Sequence, residues 1–175
     1  MTTPAGGERP LSASEVDLVG SVFGDGVDCA PVRLRRRRFM PFQPAHTVMA
    51  PMGHIHFHPA SPHWREDFAV APAGLQGLFI HEMTHVWQAQ RRGRWYLPLR
   101  RHPFCRYAYR LRPDWHLTDY GLEQQAEIVA HAFLARIGAF TPEDGQAPLL
   151  EQLALSVRYL DQQRTRYSRP RSLRR

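Results

Sequence analysis

The sequence contains no lysine: all 23 of its basic residues are arginine. Set against 16 acidic residues, this gives a formal charge of +7. Arginine clusters in two places, Arg33, Arg35, Arg36, Arg37 and Arg38 near the start, and Arg164, Arg166, Arg169, Arg171, Arg174 and Arg175 at the end. Neither cluster is interleaved with aromatics as in a nucleic-acid module, so nucleic acid is not expected as a partner and both read as solvated faces. Cysteine is also scarce. Cys29 and Cys105 are the only two, and without a secretory signal they read as reduced thiols rather than a disulfide. No apolar run approaches the roughly 18 to 20 residues of a membrane span. The opening MTTPAGGERPLS has neither the basic n-region nor the apolar h-region of a Sec signal. The expectation is a chain with no membrane span, with the cytoplasm as its default compartment. No internal repeat is visible, which sets aside solenoids and propellers.

What remains is a chain of 175 residues with 43% hydrophobic content, enough for one domain with its own core. Residues 1–10 lack periodicity and read as a disordered lead-in; residues 164–175 read as a basic tail. Leu11 to Phe23 is expected to be helical, with Ser12 and Glu15 as a capping box. Val32 to Arg38 begins by alternating apolar residues with Arg, the pattern of a half-exposed strand whose arginines would protect an edge. Pro41 to Pro59 reads as a hairpin, Thr47–Ala50 and His54–His58 about a Pro51-Met52-Gly53 turn. His54, His56 and His58 then line one face. They are either a second chelating group or, as we favour, a polar strand face. The edge of that strand is a candidate for holding an extended peptide.

The stretch with a defined chemistry lies in Ala73 to Gln90. It has no Pro, and Leu75, Leu78, Phe79, Met83, Val86 and Trp87 recur at three and four, so it is an amphipathic helix that Pro72 opens and Gly93 closes. Inside it stands His81-Glu82-x-x-His85. Two histidines four apart on a helix are about 40° apart around the axis and about 6 Å along it, so both imidazoles can reach one metal ion. Glu82 projects beside them, where a carboxylate can take a proton from a water at the metal without being a ligand. With ten His and eight Glu in the chain, chance supplies this pattern in roughly one such sequence in forty, so the surroundings have to decide.

Catalytic zinc takes three protein ligands and leaves a position open. The metzincin continuation, with Gly and a third His, is excluded because Gln88 and Arg91 occupy those places. A gluzincin continuation places a Glu on a following helix, and Gly121 to Ala139 is such a helix, carrying Glu123 and Glu127 on one face with His131 a further four on. We take Glu123 as the third ligand and Glu127 as its neighbour, hydrogen-bonded to a ligand histidine. The reverse assignment uses the same face and stays open at the level of spacing. A last helix, Ala147 to Asp161, reads as support. Between Gly93 and Tyr120 the chain is rich in Arg and aromatics and broken by prolines, a candidate lid or specificity wall. From it we rank Tyr120, then His116 and Tyr96, as stabilisers of a developing oxyanion.

The pieces LSASEVDLVGSVFGDGVD, FMPFQPAHTVMAPMGHIHFHP, LQGLFIHEMTHVWQAQ and YGLEQQAEIVAHAF together resemble small bacterial Vgr-related proteins, named for the spike protein of type VI secretion. The pairing of H-E-[LM]-T-H-V-W-Q with E-Q-Q-A-E-I-V also resembles short gluzincin-type metallopeptidases. The resemblance covers roughly residues 11 to 140. It implies an α+β, zincin-like fold, with the active-site helix and the ligand helix packed on a small sheet or hairpin. It implies Zn2+ as cofactor, a peptide or protein substrate, and a secretion system as partner and delivery route. The rival expectation is a zinc-stabilised adaptor module without turnover. Nucleic-acid binding through the basic termini ranks last.

Overall fold

The computed structural model describes residues 2–100, 106–143 and 145–167. In chain order its elements are β1 (Glu8–Arg9), α1 (Ala13–Phe23), β2 (Leu34–Arg35), β3 (Val48–Met49), β4 (Ile55–Phe57), α2 (Ala73–Arg92), α3 (Tyr96–Arg100), a 3-10 turn (Leu117–Asp119), α4 (Leu122–Arg136) and α5 (Ala147–Tyr167). The architecture is α+β. The sheet is mixed and runs β1-β2-β4-β3, with the β2/β4 pair parallel and its two neighbours antiparallel.

The expected disordered lead-in is corrected. Glu8 and Arg9 pair with Arg35 and Leu34, and Thr3 is buried, its N–H and hydroxyl donating to Glu66 at 3.0 and 2.8 Å. Arg35, Arg36 and Arg37 of the first arginine cluster help to anchor this segment, so the cluster is only in part the solvated face that composition suggested, Arg37 and Arg38 remaining exposed. Arg35 and Arg37 both reach Glu8 Oε2, at 3.0 and 2.8 Å. Arg36 donates to the carbonyls of Thr3 and Pro59, and Arg33 to those of Ala30 and Val32. β2 is thus an inner strand and not an edge. The same holds for β4, whose two neighbours leave it no edge to offer a peptide; the outer strands are β1 and β3. Of the second cluster, Arg164 and Arg166 fall within α5. Their side chains, and residues 168–175, lie outside the described residues.

At the head of α1 the capping box forms: Ser12 Oγ accepts the Glu15 N–H at 3.1 Å and Glu15 Oε2 accepts the Ser12 N–H at 2.9 Å. Glu15 does more than cap. Fully buried, it also accepts two bonds from Arg9, at 2.7 and 2.8 Å, and one from the backbone N–H of Phe68 at 2.9 Å. One carboxylate therefore joins β1, α1 and the loop before α2. Phe68 in turn lies in a stack that carries the sheet onto α2, Phe57 to Phe68 at 5.5 Å and Phe68 to Phe79 at 5.1 Å between centroids.

Eleven consecutive residues of α2, Phe79 to Ala89, are buried. A surface helix keeps a wet face, and this stretch has none, because the sheet, α4 and the 106–120 segment enclose it. Gly77 explains how closely α4 can approach. A Cβ at that position would stand 2.8 Å from Leu134 Cδ1 on α4. The pairing of Gly77 with Leu134, His81 with Glu127 and His85 with Glu123 fixes the two helices antiparallel.

Among the described residues no helix is long and apolar enough to cross a membrane. Cys29 is a free thiol whose pKa is pushed up by burial and by Asp28; Cys105, the other expected thiol, lies outside the described residues.

Candidate metal centre

Two helices supply the centre. His81 and His85 occupy one face of α2 and Glu123 opens α4, so three ligating side chains meet where the two helices pack. One ligand atom from each of the three lies within 4.8 Å of the others, and all three residues are buried. Glu123 Oε2 stands 3.1 Å from His85 Nε2 and 3.4 Å from His81 Nε2.

The orientation of His85 follows from its hydrogen bonds. Gln88 Nε2 donates to the Leu122 carbonyl at 3.1 Å and to Gln125 Oε1 at 3.0 Å, so its oxygen is what faces His85 Nδ1 at 2.8 Å. His85 Nδ1–H is therefore the donor, and Nε2 is left to face Glu123. A neutral ring so held aims a lone pair at a carboxylate oxygen, and a cation between them turns that repulsion into ligation. Two imidazole nitrogens and one carboxylate oxygen are the donor set of a hydrolytic zinc site. The residues present thus fit a divalent metal.

Glu127 lies on the other side of the His81 ring, its Oε1 3.3 Å from Nδ1. Its second oxygen faces His131 Nε2 at 3.4 Å, and His131 Nδ1 meets the Tyr109 hydroxyl at 2.7 Å. Burial lowers the His131 pKa despite the opposing charge of Glu127. Burial, aided by Glu127, pushes the Tyr109 hydroxyl up, so it remains a donor. His81 behaves in the opposite way. Burial disfavours its charged form, yet hydrogen bonds to Glu123 and Glu127 and the charge of Glu82 outweigh it and raise its pKa to about 9. In the metal-free protein this proton stabilises the fold fully below the ordinary value of 6.5, and the contribution is lost as pH rises through about 9.

A metal entering the cluster must displace that proton. Zinc uptake near pH 7.5 is expected to release about one proton, and affinity to fall about tenfold for each pH unit below about 9. Calorimetric titration in buffers of differing ionisation enthalpy reads the proton directly. Uptake without proton release would mean that His81 carries no proton for a metal to displace.

Glu82 is 3% exposed, and its Oε2 makes no hydrogen bond among the described residues. A buried carboxylate oxygen with nothing to accept is costly to hold, and its place one residue after His81 points it to a group that the protein alone does not supply.

Tyr120, ranked first as oxyanion stabiliser, is built into the core. It is 4% exposed, its ring packs edge-on against Trp115 at 5.0 Å, and its hydroxyl accepts the Arg112 N–H at 2.9 Å. His116 opens the 3-10 turn, and Tyr96 lies on α3 beneath the Arg92 guanidinium. The tyrosine over the centre is Tyr107, its ring stacked on His81 at 6.4 Å, with Tyr109 next along. Neither carried a periodic signal; only the density of aromatics in this stretch pointed to a wall. Gln88, Gln125 and their hold on His85 also escaped, because a glutamine on a helix has no metal signature.

His54, His56 and His58 are apart from this centre. Burial, then the Arg35 charge, lowers the His56 pKa to about 4, and its ring meets Phe39 edge-on at 5.3 Å. His58 Nε2 meets Arg38 at 2.7 Å, and its Nδ1 accepts the Ala60 N–H. The only metal-ready cluster among the described residues is His81, His85 and Glu123.

The fold and this cluster together define a small α+β domain with a metal-ready centre between two antiparallel helices. No family model matches the sequence. Over 135 residues it is 43% identical to the type VI secretion system spike protein VgrG2b of Pseudomonas aeruginosa; the match takes in 73% of this chain but only 13% of that protein. It also superposes on the solved effector domain of Pseudomonas aeruginosa VgrG2b with a TM-score of 0.65 and 38% identity, covering 89% of this chain and 85% of that domain. The chain belongs to the family of the VgrG2b effector domain.

Proposed function

We propose that the chain is a zinc-dependent metallopeptidase domain of zincin-like, gluzincin type that acts as an effector of type VI secretion. The observation that carries the reading is the convergence of His81, His85 and Glu123 within 4.8 Å, with the unpartnered Glu82 Oε2 beside them. Zinc held by such a set supplies a Lewis acid and makes a water acidic enough to lose its proton near neutral pH. Glu82 takes that proton on Oε2 and later delivers it to the leaving amine. Gln88 holds the His85 ring with Nε2 toward Glu123, where a metal would be held, Glu127 holds His81 in the same way, and the half-exposed Tyr107 ring lies near-parallel to His81. We assign stabilisation of the developing oxyanion to Tyr107 rather than to Tyr120, the Tyr109 hydroxyl being engaged with His131.

The secretion role rests on the family alone, and both partner and substrate are proposed on that footing. The test is elemental analysis of protein purified without chelator, followed by a peptide library with and without o-phenanthroline. About one zinc per chain with chelator-sensitive cleavage supports the reading; absence of metal overturns it. Stoichiometric zinc with no turnover selects the adaptor module instead.

A further inference from the structure

Beside the centre, on the far side of Glu127 from His81, lies an open cavity of about 450 Å³. Its walls are aromatic and apolar, with Tyr107, Tyr109, Phe140 and Leu150 among them, and it holds two carboxylates, Glu127 within and the exposed Glu143 at the rim. Phe140 is fixed flat against His131, 4.3 Å between centroids at 4°. Among the described residues no arginine lines this cavity. In a chain whose cations are all arginine and outnumber its acids, that is a selective arrangement. Two further cavities among the described residues are lined respectively by Arg136 with Arg158 and by Arg91 with Arg92.

Ring faces and carboxylates together suit one kind of group. Aromatic quadrupoles and carboxylates both attract a cation, while an apolar wall accepts the methylene stem that carries it. We propose that this cavity is a substrate subsite selecting an arginine or lysine side chain next to the bond to be cleaved. The inference rests on the peptidase reading for its role, though not for its binding chemistry. Glu127 belongs to the cavity wall and to the His81 contact alike, so the cavity adjoins the metal-ready cluster. Glu143 has no such double duty: among the described residues its side chain accepts one hydrogen bond, from Gln146 Nε2 at 2.7 Å, which makes it the residue to alter.

The test is binding first and cleavage second. The full-length, zinc-loaded protein is titrated with N-acetylarginine amide and N-acetylnorleucine amide, followed by NMR. Arginine amide is expected to bind about tenfold tighter, the ratio to shrink to about threefold in Glu143→Gln, and to vanish in Glu143→Arg. Far-UV circular dichroism checks that both variants remain folded; the conservative Gln variant carries the test if the Arg variant does not. Norleucine amide binding as tightly as arginine amide, or variants that leave the ratio unchanged, would overturn the proposal. A peptide library separates this from the reading beneath it. Cleavage without a basic preference removes the subsite and leaves the peptidase, whereas arginine selectivity without any cleavage keeps the subsite and removes the peptidase.

Discussion

Glu82→Gln should retain its zinc and lose peptide cleavage by about two to four orders of magnitude in kcat, the span that a positioned general base contributes. Metal retention follows from geometry, since the three converging residues are His81, His85 and Glu123. The loss follows from chemistry. An amide has the same shape as a carboxylate but cannot take a proton, so the buried oxygen at Oε2 keeps its place and loses its basicity. KM should change little, because the interaction removed belongs to the transition state and not to ground-state binding. Zinc content by elemental analysis and initial rates on a cleaved peptide check both halves. A variant within threefold of the wild-type rate would remove Glu82 from the mechanism, and a variant that loses its zinc would make it a ligand.

The second large effect concerns stability and lies far from the metal. Glu15→Ala is expected to cost about 3 to 5 kcal/mol, as when one member of a buried ion pair is removed. The side chain is fully buried and accepts bonds from the Arg9 guanidinium and from the backbone of Ser12 and Phe68. Its loss leaves Arg9, whose side chain is 13% exposed, with Glu66 at 3.8 Å as its remaining carboxylate. At about 2 to 4 °C per kcal/mol for a domain of this size, the melting temperature should fall by about 10 °C. A fall under about 3 °C in a thermal melt would show that β1, α1 and the Phe68 loop hold together without this carboxylate.

The metal pattern was readable because it is local. His81 and His85 are one helical turn apart on a segment whose apolar period is plain, and Glu123 stands on the next strongly periodic stretch. The Ser12/Glu15 capping box is local as well, and so is the hairpin that β3 and β4 form. What could not be read depends on partners distant in sequence. A two-residue strand such as Glu8–Arg9 has no pattern of its own and exists through pairing with residues 34–35. The Arg33–Arg38 run looked like surface because a guanidinium that meets a carboxylate or a carbonyl has the same one-letter code as one that meets water. Tyr107 and Tyr109 sit in an aperiodic stretch, where nothing but the folded chain says which aromatic will lie over His81 and which, like Tyr120, will turn into the core.

The burial of α2 on every side from Phe79 to Ala89 has a consequence for how the domain handles its ion. In small zinc modules the metal is the core, and chelation is denaturation. Here the two histidines ride on a rod gripped by the Phe57–Phe68–Phe79 stack and by α4, so their spacing is set by hydrocarbon. On the proposed reading, emptying and refilling the centre would be ordinary binding equilibria of a folded host, and an ion held there would be an exchangeable passenger instead of a structural keystone.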